Sequence, residues 1–160
     1  MPRNTRGALI FSRSMLAIGE DNATLSPTTL IVFEPALGGS NLNVQAERMG
    51  SHLVVRIQGE LDLHTVNAFR QVVDKEMAVG RTKTMVLVMN DVSFIDSSGV
   101  GAILGRYKSI NAQGGQMVAV GLRPLPRRIL ELSGVLRVIQ TATSERRALA
   151  RLQGGDRDAR

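Results

Sequence analysis

From Leu42 onward, short apolar runs of strand length alternate with segments whose apolar residues recur every three to four positions. No other feature of the chain constrains the fold as tightly. Strands joined by helix-length crossovers must lie parallel, with the helices laid against a face of the sheet. The first two runs, LNVQAE and HLVVRIQGE, are separated only by a turn around Arg48–Ser51, so they form a hairpin. HTVNAFRQVVDKEMAVG then places Val66, Phe69, Val72, Val73 and Met77 on one helical face, with Thr65 able to cap its start and Gly80 its end. TMVLVM, residues 84–89, suits a buried strand. VGAILGRYKSIN puts Val100, Ile103, Leu104, Tyr107 and Ile110 on one face of a second helix, ended by Gly114 and Gly115. QMVAVGL is the next strand. Pro124 opens a third helix whose apolar face uses Leu125, Ile129 and Leu132 and which stops at Gly134. VLRVIQT is predicted as the last strand and SERRALARL as a final helix capped by Ser144. The predicted fold class is α/β: a single domain on a mixed β-sheet opened by a hairpin.

The 160 residues suit one domain, and a hydrophobic fraction of 43% excludes disorder of the whole chain. Residues 1–40 show no sustained period and carry the loop clusters SPTT and PALGGSN. They are predicted to be a flexible N-terminal extension, with room for one short strand at Thr29–Phe33. The domain is expected over residues 41–153, followed by a tail at 154–160. The apolar runs are far too short to span a bilayer, and the first residues have neither a continuous apolar core nor a small-residue cleavage site. No signal peptide and no membrane partner are expected. The chain has no cysteine, which excludes disulfides, thiolate metal sites and cysteine nucleophiles, and agrees with a cytoplasmic location. The net charge of +6 lies in residues 41–153, which hold 15 basic and 9 acidic residues. Its arginines are dispersed over helical segments, aromatics make up 3% and there is no Trp, so direct nucleic-acid binding is not expected.

Enzyme chemistry finds little support. There is no Walker loop and no GxGxxG. His52 and His64 lie twelve residues apart on different elements, so no metal or cofactor is expected. Glu60 and Asp62 suit solvated loop carboxylates or helix N-terminal charges better than an acid/base pair. Ser97 has no GxSxG elbow and no evident base, which leaves a small serine hydrolase as a lesser alternative.

The informative segment is SFIDSSGVGAILGRYK. Phe94 and Ile95 close a strand, and Asp96, Ser97, Ser98 and Gly99 open a helix. Asp and Ser there satisfy N–H groups that a helix start leaves open. A Ser hydroxyl so displayed is accessible to a kinase, and the position tolerates a phosphate because the helix end offers positive potential and N–H donors. Gly99, Gly101 and Gly105 narrow the first turns, so another backbone, of the domain or of a partner, can approach closely.

From about residue 42 to 153 the sequence resembles STAS domains, and among them the bacterial anti-sigma factor antagonists of the sporulation type. The resemblance rests on GELDLHT at 59–65, VLVMNDVSFIDSSGVGAILGRYK at 86–108, GGQMVAVG at 114–121 and RRILELSGVLRVI at 127–139. It implies a mixed sheet with the helices mainly on one side. It also implies a protein that is no enzyme but the substrate and ligand of an anti-sigma factor with serine kinase activity. The first Ser of DSSG, Ser97, is then the phosphorylation site, and Asp62, Asp96, Ser97, Ser98, Gly99 and Gly101 form the partner-binding region. The unphosphorylated form binds the anti-sigma factor and frees the sigma factor; phosphorylation blocks binding; a PP2C-type phosphatase resets the switch. A new dianion at Ser97 beside the carboxylates of Asp96 and Asp62 would oppose an acidic partner surface, and burying it without paired cations would be costly. A stressosome-like scaffold or the small partner of a transporter is the alternative within the same fold. The extension and the basic charge depart from the family pattern.

Overall fold

A computed structural model of the chain describes residues 8–14, 28–34 and 41–154. In chain order these form β1 (Ala8–Ser14), β2 (Thr28–Glu34), β3 (Leu42–Met49), β4 (His52–Leu61), α1 (Val66–Val79), β5 (Thr84–Ile95), α2 (Ser97–Asn111), β6 (Gln116–Val120), α3 (Pro124–Leu132), a 3₁₀ turn (Val135–Arg137), β7 (Gln140–Ala142) and α4 (Glu145–Gly154). All seven strands join one sheet in sequence order. Pairings from β1 to β4 are antiparallel and those from β4 to β7 are parallel.

The expected hairpin is present, turned by Gly50 in the left-handed region with φ of 60°. Alternation along β3 and β4 sends Leu42, Val44, Ala46, Leu53, Val55 and Ile57 to one face, where they meet Phe69, Val72 and Val73 of α1 and Ala102, Ile103 and Ile110 of α2. That face, shared with Leu130 of α3, is the main core. The opposite face is smaller: Val54, Val86, Val118, Val120 and Ala142 are covered by Ala148 of α4. Arg56 projects there and ties three elements together. Its Nε and Nη2 donate to Glu145 of α4 at 3.2 and 2.5 Å, and its Nη1 donates to Glu47 of β3 at 3.0 Å. Burial alone would lower the Arg56 pKa, but the hydrogen bonds from both glutamates outweigh it and hold the guanidinium above its ordinary value. Among the described residues no helix is long and apolar enough to cross a membrane.

Three expectations need correction. Residues 1–40 were expected to hold at most one short strand, at Thr29–Phe33; that strand is present as β2, the described residues add β1, and β2 pairs with the edge of β3. The edge of a sheet offers unpaired N–H and C=O groups, and a β-branched run such as TTLIVFE satisfies them. The hairpin signal was missing because thirteen residues separate the two strands. VLRVIQT is not one strand: Gly134 turns the chain with φ of 79°, Val138 and Ile139 N–H groups both donate to the Val135 carbonyl, and only Gln140–Ala142 pairs with β6. In α3 the buried residues are Pro126 and Leu130, whereas Leu125 and Leu132 are 52% and 75% exposed. β5 closes at Ile95, as expected, and two extra residues bulge out of it opposite Arg56–Gln58 and Gly59–Glu60. Bulges bend and re-aim a strand end.

Candidate functional site

Those bulges bring Ile95 opposite Leu61, so β4 and β5 end side by side. The Asp96 N–H donates to the Leu61 carbonyl at 3.2 Å and carries the pairing one residue further. Each strand then turns into a helix through the same device. In the first loop, Asp62 Oδ1 accepts from the N–H groups of His64 at 2.9 Å and Thr65 at 3.1 Å. In the second, Asp96 Oδ1 accepts from Ser98 at 2.8 Å and Gly99 at 3.1 Å. Both carboxylates thus satisfy the donors two and three residues on, as short polar side chains do at helix starts. A bond between the loops ties them together: Leu63 N–H donates to Asp96 Oδ2 at 3.1 Å.

Thr65 completes the first loop. It is buried, its hydroxyl donates to the Glu60 carbonyl at 2.7 Å, and it accepts from the Asp62 N–H at 3.0 Å. This corrects its expected role, since its side chain makes no cap bond to α1. Asp62 is itself buried, at 8% exposure, so it is no solvated carboxylate. Glu60 is half-buried on the strand and serves the loop through its backbone.

Gly99 explains how α2 starts so close to the strand ends. A Cβ there would lie 2.5 Å from the Leu61 carbonyl oxygen and 2.8 Å from Ile95 Cγ1. Only a residue without a side chain fits. Gly101 and Gly105 differ: a Cβ on either would meet nothing within 4 Å. The expected close approach within the domain is therefore made by Gly99 alone, and the other two leave α2 thin on its outer side.

Ser97 is the first residue of α2 and is exposed; among the described residues its hydroxyl has no hydrogen-bond partner. Ser98 is half-buried. His64 is exposed in the neighbouring loop, while His52 stands at the opposite end of β4. The N–H donors expected to welcome a phosphate are not free, because Asp96 already holds those of Ser98 and Gly99. A phosphate on Ser97 would project beside that carboxylate instead of settling into the helix end. The sequence reading passed over Leu63, which is 66% exposed although its backbone is fixed to Asp96. The sequence signals for this loop were the GELDLHT motif and Asp62 followed three residues later by Thr65, directly before an apolar helical run.

The chain carries this mixed sheet and these two loops as a member of the STAS domain family, whose model matches residues 43–148. Within the family it is similar to the anti-sigma F factor antagonist of Paenibacillus polymyxa, 37% identical over 113 residues that cover 71% of this chain and 97% of the relative. Its structure is similar to that of the anti-sigma factor antagonist SpoIIAA in its unphosphorylated form, with a TM-score of 0.62, 32% identity and coverage of 69% of this chain and 96% of the other. It is likewise similar to the Bacillus cell fate determinant SpoIIAA in the phosphorylated form, with a TM-score of 0.56, 32% identity and coverage of 68% and 98%.

Proposed function

We propose that this protein is an anti-sigma factor antagonist switched by phosphorylation of Ser97. In the unphosphorylated state it binds an anti-sigma factor that is also a serine kinase, and so releases the sigma factor in the cytoplasm. Phosphate on Ser97 abolishes that binding, and a PP2C-type phosphatase restores it. The protein is the substrate of this chemistry and catalyses none of it. The observation that carries the reading is an exposed Ser97 opening a helix whose cap is already occupied by Asp96.

The physical consequence is a switch without refolding. A phosphate adds about −1.5 to −2 charge. With the nearby N–H donors engaged, that charge stays on the surface beside Asp96 and meets whatever docks there. Contact falls to Ser97, Ser98, Gly101 and the exposed Leu63; the buried Asp62 and Gly99 hold the loops in register.

The test is incubation of the full chain with the candidate anti-sigma kinase and ATP, followed by intact mass and peptide mapping. One phosphate on Ser97 is expected, and none on Ser98. Ser97→Ala should fold, take no phosphate and bind the partner; Ser97→Asp should fold and bind much more weakly. Equal affinities for the two variants, or phosphate on Ser98 alone, would refute the switch.

A further inference from the structure

The third helix leaves apolar surface in water that the fold has no use for. Seven large hydrophobic residues are exposed among the described residues, and three of them, Leu125, Leu132 and Val138, fall within fourteen residues of α3 and the turn after it. Leu125 and Leu132 are seven residues apart, two helical turns, so they lie on one flank about 10.5 Å apart along the axis. Ile129, half-buried between them, packs against the main core and borders the stripe. The core side of α3 is elsewhere, at Pro126 and Leu130, so burial of the helix does not account for these leucines.

The charge around the stripe is one-sided. Residues 123–138 hold Arg123, Arg127, Arg128 and Arg137 against Glu131 alone, a net of +3. All four arginines are exposed. Among the described residues only Arg127 has an acidic partner, Glu131, at 3.8 Å. Arg128 stands next to the leucine flank on the helical wheel, since Leu125 and Leu132 lie three residues before and four after it.

We propose that the outer face of α3 is a second docking surface, which receives an acidic amphipathic helix of a partner protein. Leu125 and Leu132, bordered by the half-buried Ile129, have the spacing that meets the apolar stripe of a helix laid across them, and Arg123, Arg128 and Arg137 complement glutamates or aspartates at its margins. A second copy of this chain fits poorly, because a symmetric contact through α3 would set these arginines against their own duplicates. An anionic membrane fits poorly too: the deeper apolar side of this nine-residue helix is already committed to the core, which leaves too narrow a stripe to enter a bilayer. The surface is independent of Ser97 and stands whether or not the switch proposed there does.

The test uses the full chain and a designed helical peptide with leucines at i, i+4 and i+7 flanked by glutamates, labelled for fluorescence anisotropy. A peptide with lysines in place of the glutamates serves as control. Saturable binding of the acidic peptide is expected, weakening with added NaCl, with no binding of the lysine peptide. Leu125→Ser with Leu132→Ser, and separately Arg128→Glu, should each weaken binding by roughly tenfold or more. All three side chains are exposed, so melting temperatures should stay near wild type and show that the variants are folded. Equal binding of both peptides, or affinity unchanged in the variants, would overturn the proposal. So would acidic-peptide binding too weak to saturate while the chain binds phosphatidylglycerol vesicles or dimerises through α3.

Discussion

Three glycines in one helix should respond to alanine in opposite directions. On helix propensity alone, each Gly→Ala change in α2 gains up to about 1 kcal/mol. At Gly101 and Gly105 nothing lies within 4 Å of the new methyl group, so propensity decides, and each variant should be more stable by about 0.5–1 kcal/mol. At Gly99 the methyl carbon would sit 2.5 Å from the Leu61 carbonyl oxygen. That oxygen belongs to backbone and also accepts the Asp96 N–H, so it cannot retreat without lengthening the bond that joins the strand ends. Overpacking costs about 1–3 kcal/mol, and weakening that bond adds about 0.5–1.5 kcal/mol. The propensity gain is small in a first turn, so the net effect should be a loss of about 1–4 kcal/mol. Urea denaturation followed by circular dichroism reads all three variants on one scale. A Gly99→Ala protein as stable as Gly101→Ala would refute the proposed steric role of the first turn. Partner binding separates the sites further: Gly105→Ala should leave affinity near wild type, whereas Gly99→Ala should lower it through the displaced Ser97 loop.

Arg56→Met should cost about 1 kcal/mol, since the pairs it loses are partly solvated, and should raise amide exchange in α4 while leaving α1 unchanged; equal exchange in both helices would show that Arg56 does not hold α4. Because the Arg56 pKa is raised, its contribution is complete below the ordinary arginine value and lost only above it, so the difference between wild type and variant should be flat from about pH 6 to 9. Deleting residues 1–40 should leave a cooperatively folding domain, because a Paenibacillus relative is matched over 97% of its length by 113 residues of this chain, but should lower its melting temperature and promote self-association through the bared β3 edge. Sedimentation velocity and calorimetry check both, and an unchanged melting temperature would place β2 outside the cooperative unit.

Much of the fold was legible locally. Period-2 alternation in β3 and β4, helical spacing in α1 and α2, and Pro124 at the start of α3 each arise from contacts within a few residues, and binary patterning carries such information directly. The DSSG turn and its exposed serine were legible for the same reason: a capping carboxylate acts on the N–H groups two and three residues ahead. What depended on contacts distant in sequence was not. The apolar spacing of Leu125, Ile129 and Leu132 reads as a core face, yet whether a stripe is covered depends on which strand lies beneath it, and here Pro126 and Leu130 face β5. Val135 to Gln140 has strand-like composition, but a left-handed Gly134 and the short reach of β7 made a 3₁₀ turn instead. Above all, the sequence alone determined that Asp96 opens a helix, and left Asp62 as either a loop carboxylate or a charge just ahead of the first helix. Tertiary structure decided that the two carboxylates lie in neighbouring loops, because two bulges in β5 align its end with that of β4, and that a bond from Leu63 to Asp96 ties together residues 33 apart.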